Sequence, residues 1–255
     1  MAVTAYEDLR AGPQRPSHGP RRRRWVRALR AITLLVAALL AVVLLAVAVA
    51  WPLTPSVGDA AARVQQRLTA NHDPMLTQLP TVDRVGQAII ATEDSRFYSH
   101  WGIDALGVLR ATIHYSSPDA GGATLDQQLA KNLWTGDGGV LRKAEQMELA
   151  LKLEAQYSKS EILRFYLAMA YFGHSYYGLP AATEGYFGLA PDQVSWAQAS
   201  LVAGLVQAPS AYDPYTHLNL AKSRQRHVLD RLVATRVLTS RQADAAYAAP
   251  LGLRS

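Results

Sequence analysis

Residues 91–104, "ATEDSRFYSHWGID", place three carboxylates and one imidazole within fourteen positions. The apolar run before them, "VGQAIIAT", is typical of a helix that carries Glu93 and Asp94 to its exposed end. Adjacent acids on a helix point about 100° apart, so they rarely share one proton or one metal ion. One of them could instead act as a general base in a cleft while its neighbour supports it through a hydrogen bond. The acids and His100 fit no zinc or calcium ligand spacing, so we predict no metal site here.

The same stretch also fits a purely structural arrangement. His100 would interact favourably with the dipole at a helix C-terminus, and Phe97 and Trp101 would pack in the core. The spacing alone does not separate this alternative from an active site.

A second polar stretch, "GGATLDQQLAKNL", covers residues 121–133. Its two glycines permit a sharp bend or a close approach of the backbone to a ligand. Gln127, Gln128 and Lys131 follow at positions i, i+1 and i+4, which leaves amides and one ammonium on one side of a helix. These groups suit sugar hydroxyls and phosphate oxygens, although an amide-rich solvated helix face has the same pattern.

A third stretch begins with Arg142 and Lys143, shortly after the Gly-rich turn at residues 136–139. Two cations at a helix N-terminus oppose the helix dipole, and a bound anion would explain them. The alternative is a pair of solvated cations answered by Glu145 and Glu148.

The order and spacing of these stretches resemble glycosyltransferase family 51, the peptidoglycan glycosyltransferases that polymerise lipid II. That family's pattern E-D-x-x-F-x-x-H-x-G is matched in full at residues 93–102, and G-G-S-T-x-T-Q-Q-x-x-K-N at all but two positions of 121–132. Arg142 and Lys143 match the cations of R-K-x-x-E, and residues 158–167 and 181–188 match the later S-K-x-x-I-L-x-x-Y-L and A-A…Y-F-G runs. The resemblance covers about residues 75–250. No transpeptidase domain follows, so a monofunctional form is expected.

The resemblance implies an inverting transfer, in which the GlcNAc 4-hydroxyl of one lipid II attacks the anomeric carbon of the growing chain and undecaprenyl pyrophosphate leaves. A hydroxyl needs a base at neutral pH, and Glu93 matches that role. The resemblance implies no organic cofactor; the one candidate is a divalent cation (Mg or Mn) at the pyrophosphate. The implied partners are lipid II, the growing glycan strand, the lipid bilayer and other cell-wall synthesis proteins. The implied substrate-binding residues are Asp94, Phe97, His100, Gly122, Thr124, Gln127, Gln128, Lys131, Arg142 and Lys143.

Four positions depart from the family pattern, namely Ala123, Asp126, Gln146 and Ala168. Gln146 matters most, because the family has its second glutamate there and a glutamine carries no charge. Glu145 lies one residue away, about 100° around the helix, and could replace that acid only with a local rotation. If the substitution impairs the leaving-group side, Gln146→Glu should raise activity.

Two further hypotheses therefore stand beside the active polymerase. A catalytically weak or inactive relative would bind lipid II and act as an interaction protein of the cell-wall machinery. A lysozyme-like glycan-cleaving enzyme would use Glu93 as its acid, but the cations of the pyrophosphate side would then have no purpose.

The elements that must position these residues are predicted to be helical. Abundant Ala, Leu and Gln and few alternating runs indicate an all-α fold, and the resemblance implies a lysozyme-like domain with a smaller membrane-facing lobe. Capping boxes are predicted at Ser158, Ser195 and Thr239. We predict helices over 141–157, 159–172, 195–207 and 218–235, and turns at 117–119, 136–139, 178–180 and 208–209.

Residues 31–50, "AITLLVAALLAVVLLAVAVA", contain no charged residue. As a helix they would span about 30 Å, the hydrocarbon thickness of a bilayer. Trp25 and Trp51 bracket the run, and the arginines before it predict a single-pass protein of the bacterial cell membrane with a cytoplasmic N-terminus and an extracytoplasmic catalytic domain. A cleaved signal peptide is the alternative, but signal h-regions run only about 7–15 residues.

Residues 1–30 hold eight arginines and two acids, so the rest of the chain carries equal numbers of basic and acidic side chains. The net charge of +6 therefore belongs to the tail, and we predict no nucleic-acid partner. We predict a disordered basic tail over residues 1–30, an anchor over 31–51, a juxtamembrane linker over 52–74 and the glycosyltransferase domain over 75–250.

Overall fold

The structure is a computed structural model that describes residues 20–70, 84–113 and 122–254. Residues 1–19 of the predicted tail, the predicted boundary at residues 74 and 75, and the predicted turn at residues 117–119 lie outside the described residues. Within the described part of the chain every regular element is a helix, apart from one isolated β-bridge. The predicted all-α fold is therefore confirmed.

The chain divides into two compact units, Met1–Pro52 and Leu53–Ser255. The first contains α1 (Pro20–Ala50), whose Trp25–Ala50 part has a mean hydropathy of 3.1. Among the described residues this is the one helix that is long and apolar enough to cross a membrane. The helix begins before the predicted start at Ala31, because proline is favourable in a first helical turn and arginine is a good helix former. A signal sequence has the same properties, so the anchor stays a prediction.

The second unit is a bundle of short helices. In chain order they are α2 (Ala60–Ala70), α3 (Arg84–Glu93), a 3₁₀ turn (Phe97–Ser99), α4 (Ala105–Ile113), α5 (Leu125–Ala130), a π-turn (Lys131–Thr135), α6 (Val140–Gln156), α7 (Lys159–Met169), α8 (Leu179–Phe187), α9 (Trp196–Leu205), α10 (Leu218–Ala234) and α11 (Ser240–Ala248).

Helix α9 lies at the centre of the second unit. After Trp196 its residues are apolar or small except Gln198, and Gln198 is also the one residue from Ala197 to Leu205 that is not buried. A helix without a polar face must be covered on several sides, and here α3, α8, α10 and α11 pack around it. A second group packs α5 against α6 and α7. The end of α3 therefore meets both α10 and the start of α5, which is where the predicted site residues converge.

Local capping signals set the ends of these helices. The three predicted capping boxes, at Ser158, Ser195 and Thr239, are confirmed, each with reciprocal hydrogen bonds between the cap residue and the residue three positions on. The four predicted helices are confirmed: the starts at Lys159 and Leu218 are as predicted, and the other six ends shift by one to three residues. A fourth box at Thr124 starts α5 and was not predicted.

The first residues of the second unit are tied to α6. The Lys152 ammonium donates to the Thr54 carbonyl at 2.9 Å, to the Thr54 hydroxyl at 2.6 Å and to the Pro55 carbonyl at 3.1 Å. The Thr54 hydroxyl in turn donates to the Glu148 carboxylate at 2.8 Å. Lys152 and Glu148 are both buried, so these bonds satisfy charges that would otherwise be costly inside the fold.

Candidate active site

Glu93 is the last residue of α3, whose apolar face packs against α9 and α10. Its Oε1 accepts a hydrogen bond at 3.1 Å from the guanidinium of Arg224 on α10. The Glu93 side chain is 17% exposed and the Arg224 side chain 8%, so the ion pair is largely shielded from water while an edge of the carboxylate stays open. Burial raises the pKa of Glu93, and the charge of Arg224 offsets part of that rise.

A second hydrogen bond to the Glu93 carboxylate comes from the Gln128 side chain. Gln128 is oriented by the hydroxyl of Tyr166, which donates to the amide oxygen at 3.0 Å. Since an ionised carboxylate only accepts hydrogen bonds, the amide nitrogen of Gln128 is the group that donates to it. The Tyr166 side chain is fully buried, and burial raises the pKa of its hydroxyl, so it remains a donor. The Glu93 carboxylate thus accepts from two donors, an arrangement that a general base of fixed geometry would require.

The Asp94 carboxylate bonds to His100 and to the backbone at the start of α5. Both of its oxygens lie 3.0 Å from Nε2 of His100, and one of them also accepts from the backbone N–H of Leu125 at 3.0 Å. The Asp94 and His100 side chains are each 3% exposed. The carboxylate therefore joins the end of α3 to the N-terminus of α5, a favourable place for an anion, and its predicted contact with substrate stays a prediction.

Two aromatic residues of the first motif lie in opposite environments. Phe97 is fully buried, and the ammonium of Lys159 lies 4.3 Å from the centre of its ring. Trp101, which the structural interpretation assigned to the core, is 77% exposed. The core assignment of Trp101 was wrong, because the chain bends at Gly102 and brings that glycine, not the indole, against the backbone of α6.

The polar residues of the second motif face three different partners. Gln127 is buried and closes the capping box, since its Oε1 accepts from the N–H of Thr124 at 3.0 Å. The Thr124 hydroxyl also donates to the Gly102 carbonyl at 2.7 Å, which links the second motif to the first. Gln128 faces Glu93, and Lys131 extends to Asp137 at 3.0 Å. Gly122 lies half-buried just ahead of the cap. Gln127, Gln128 and Lys131 therefore do not form the single polar face that was predicted, because Gln127 points toward the N-terminus of α5 to close the capping box.

Beneath this layer lies a buried charge cluster. Asp126 is fully buried, 3.8 Å from the Lys159 ammonium and in hydrogen-bonding range of Glu154, which itself pairs with Lys159. Burial, together with the neighbouring acids, raises the pKa of Asp126 to about 8 although Lys159 opposes the rise. Two carboxyls beside one ammonium fit one shared proton, which favours the protonated form of Asp126.

Among the described residues one group has the make-up of a metal site: potential ligand atoms of Asp94, His100 and Asp126 lie within 4.8 Å of one another. Asp94 already accepts from His100 and Leu125, and the Lys159 ammonium occupies the side next to Asp126. Ion pairing and hydrogen bonding within the protein therefore account for the closeness of these three side chains better than a bound cation does.

The cations of the predicted leaving-group side lie around the start of α6. Arg142 pairs with Glu145 at 2.8 Å, and Lys143 is exposed. Asp137 and Glu145, the carboxylates next to these cations, are thus each engaged with one of them. Gln146 is half-buried and donates from its amide nitrogen to the Thr135 hydroxyl and to the Gly136 carbonyl, both at 3.0 Å. Glu145 remains on the Arg142 side and does not take the position of Gln146.

Comparison with known proteins matches residues 58–233 of this chain to a family model described as "Transglycosylase". The chain belongs to the transglycosylase family. It is 37% identical over 169 residues to penicillin-binding protein 1A of Vibrio cholerae, a match that covers 65% of this chain and 20% of that protein. It is 38% identical over 163 residues to penicillin-binding protein 1A of Neisseria gonorrhoeae, with 62% and 20% covered. With penicillin-binding protein 1F of Bacillus subtilis it shares 37% identity over 190 residues, covering 72% and 26%.

These relatives are much longer than the match, which spans only 20% to 26% of their length. Among solved structures, penicillin-binding protein 1A from Haemophilus influenzae matches with a TM-score of 0.36 and 24% identity, over 51% of this chain and 17% of that one.

In this transglycosylase-family chain, the residue that sequence reasoning missed is Arg224. It lies 131 positions from Glu93, in a helix recognised only by its periodicity. No local signal separates Arg224 from the other arginines of α10. The one relevant hint is Gly204 on α9: a Cβ there would approach the Arg224 side chain to 2.9 Å, so the glycine leaves room for it.

Proposed function

We propose that this protein is a peptidoglycan glycosyltransferase that polymerises lipid II into glycan strands and releases undecaprenyl pyrophosphate. The single observation that carries the proposal is the Glu93 carboxylate, which is mostly buried, held by Arg224 and Gln128, and still open at one edge. A carboxylate in this setting is more basic than one in water and keeps a fixed direction, as a general base requires.

In the proposed reaction Glu93 takes the proton of the GlcNAc 4-hydroxyl. At the same time the hydroxyl oxygen forms a bond to the anomeric carbon of the growing chain. The bond from that carbon to the pyrophosphate oxygen breaks, and the electron pair leaves with the pyrophosphate. Attack from the opposite face inverts the anomeric configuration. The Arg224 charge keeps Glu93 ionised before the step, despite its burial.

The leaving pyrophosphate gains negative charge, which fixed cations stabilise best when they are already in place. Lys131, Arg142 and Lys143 are the residues we assign to this role. Asp137 and Glu145 hold the first two cations from the solvent side, so these contacts would open or shift when the more highly charged pyrophosphate binds. A divalent cation, if present with the substrate, would add charge at the same oxygens.

We further propose that α1 anchors the protein with its N-terminus in the cytoplasm and the catalytic domain outside. The uncharged length of the helix and the arginines at its N-terminal end support this orientation. Both substrates are lipid-linked, so an anchored catalyst meets them in the same two-dimensional layer, which raises their effective concentration.

The test is incubation of the purified full chain with labelled lipid II in detergent, with products separated on a gel. We expect glycan polymer from the wild-type protein and none from Glu93→Gln. Glu184→Gln is the matched control, because Glu184 is an exposed acid on α8 whose pairing with Arg254 lies on the surface. Binding of lipid II without polymer would refute the proposal in favour of an interaction protein, and shortening of preformed glycan would indicate a cleaving enzyme.

A further inference from the structure

The Gln146 side chain acts as a double donor. Gln146 lies on α6 one turn after Arg142, and its amide nitrogen carries two hydrogens. The nitrogen donates to the Thr135 hydroxyl and to the Gly136 carbonyl, each at 3.0 Å, and the Thr135 hydroxyl itself donates to the same carbonyl at 3.1 Å. Both acceptors belong to the end of the π-turn that begins at Lys131.

That turn is a closed unit. The N–H of Gly136 donates to the carbonyl of Lys131 at 2.8 Å, and Gly136 has a φ of +66°, a conformation that favours glycine. The Lys131 ammonium reaches across to Asp137 at 3.0 Å. Lys131 therefore lies at the start of a turn whose other end, at Thr135 and Gly136, accepts hydrogen bonds from Gln146.

The same segment contacts α6 at a second point. A Cβ on Gly138 would overlap the side chain of Arg142, so the backbone there lies directly against the arginine stem. Gln146 and Arg142 are four residues apart and share one face of α6. Residues 135–138 therefore run along that face, with the amide at one end and the guanidinium stem at the other.

A carboxylate cannot replace these bonds. At neutral pH a glutamate at position 146 has no hydrogen to donate, and its oxygens would face the Gly136 carbonyl oxygen at hydrogen-bond distance. The Thr135 hydroxyl could turn and donate to it, but the carbonyl contact would become repulsive. The amide of Gln146 therefore makes contacts with this turn that an ionised glutamate could not make.

We propose that Gln146 is a positioning residue that holds the turn from Lys131 to Asp137 against α6, and so sets Lys131 relative to Arg142. The inference rests on the proposed function, in which these two cations receive the charge of the leaving pyrophosphate. It reverses the expectation drawn from the family pattern: Gln146→Glu lowers activity, because restoring the acid removes both donors.

The experiment compares the full-length wild type with Gln146→Glu and Gln146→Ala in two measurements. In hydrogen–deuterium exchange, peptides covering residues 131–139 exchange on the order of tenfold faster in both variants, the equivalent of 1.36 kcal/mol and comparable to the net value of one or two hydrogen bonds. Peptides from α9 and α10 are unchanged. In lipid II polymerisation, kcat falls by a similar factor while the KM for lipid II changes less, since the cations act on developing charge.

A pH series separates positioning from a general loss of structure. The ratio of the Gln146→Glu rate to the wild-type rate rises as the pH falls from about 8 to about 5.5, because the adjacent Gly136 carbonyl favours the protonated glutamate, which regains one donor. The ratio for Gln146→Ala stays flat, and taking ratios cancels the titration of Glu93. Gln207→Glu is the control for added charge: Gln207 is exposed and uses only its Oε1, as an acceptor from Tyr212.

Three outcomes would overturn the inference. They are Gln146→Glu activity equal to or above the wild type at neutral pH, full activity of Gln146→Ala, and faster exchange of residues 131–139 with no change in kcat. If the wild type makes no polymer, the proposed function fails, whereas the exchange measurement still decides whether Gln146 holds the turn.

Discussion

Replacing Asp126 with asparagine tests the buried cluster behind the catalytic layer. The carboxyl is fully buried beside Glu154 and Lys159, and burial raises its pKa from 3.8 to about 8. Between those two pH values the folded chain holds a proton that the unfolded chain has released. The stability contributed by this group is therefore fully present below pH 3.8 and is lost as the pH rises through about 8. Asparagine is neutral throughout and leaves Glu154 paired with Lys159 alone.

The magnitude follows from proton linkage. One extra proton on the folded chain changes the free energy of unfolding by 1.36 kcal/mol per pH unit, so raising the pH from about 6 to about 7.5 costs the wild type roughly 2 kcal/mol that Asp126→Asn does not lose. For a domain of this size about 1 kcal/mol shifts Tm by roughly 2–4 °C. The Tm advantage of Asp126→Asn should therefore grow by roughly 4–8 °C between the two pH values.

The assay is thermal unfolding of the full chain in detergent, followed by tryptophan fluorescence at both pH values. At each pH the Tm of the wild type is subtracted from the Tm of the variant, and the two differences are compared. The titration of Glu93 affects both proteins equally, so it cancels in each difference. Asp192→Asn is the control, since the Asp192 side chain is exposed and the change leaves its backbone carbonyl, the acceptor from Arg84, in place. A Tm difference that is the same at both pH values would show that Asp126 is ionised in the fold and would refute the reasoning.

Three further predictions concern the contacts around α10 and α6. Arg224→Gln removes the charge that lowers the pKa of Glu93, so the acid limb of the pH profile of kcat/KM should move to higher pH; a limb that does not move would contradict the assigned pairing. Gly204→Ala adds a Cβ 2.9 Å from the Arg224 side chain and should shift the same limb in the same direction, with a smaller effect measured in the same assay. Lys152→Met removes the donors to Thr54 and should lower the free energy of unfolding by about 1.5–3 kcal/mol, read as a lower Tm in thermal unfolding, whereas an unchanged Tm would mean that water replaces the ammonium.

Local sequence signals predicted much of the fold, because the interactions behind them are local. A capping box joins residues three positions apart, so Ser158, Ser195 and Thr239 could be recognised without knowledge of the tertiary structure. The same holds for α1, whose length and lack of charge are properties of one segment. The box at Thr124 was overlooked because Gln127 was interpreted as a ligand-facing amide.

For the candidate site, the sequence indicated which residues belong to it but not how their side chains are arranged. The resemblance to the family pattern implied Glu93 as the base and Lys131, Arg142 and Lys143 as cations, and these roles stay predictions. It could not supply the direction of each side chain. Asp94 and His100 bond to each other, and Gln127 closes the cap of α5. In the sequence motifs these residues stand next to Glu93 and Gln128, so their different directions could not be predicted.

What the sequence by itself determined about this protein is therefore the helical class and the apolar N-terminal helix, while the base and its cations stay predictions from the family pattern. What only the tertiary structure decided is the environment of those groups: Arg224 against Glu93 across 131 positions, Asp126 sealed beside Glu154, and the amide of Gln146 on the carbonyl of Gly136. The physical reason is range. Helix periodicity and caps depend on neighbours within a few positions, whereas burial and ion pairing depend on which helices pack together, and that is a property of the whole core.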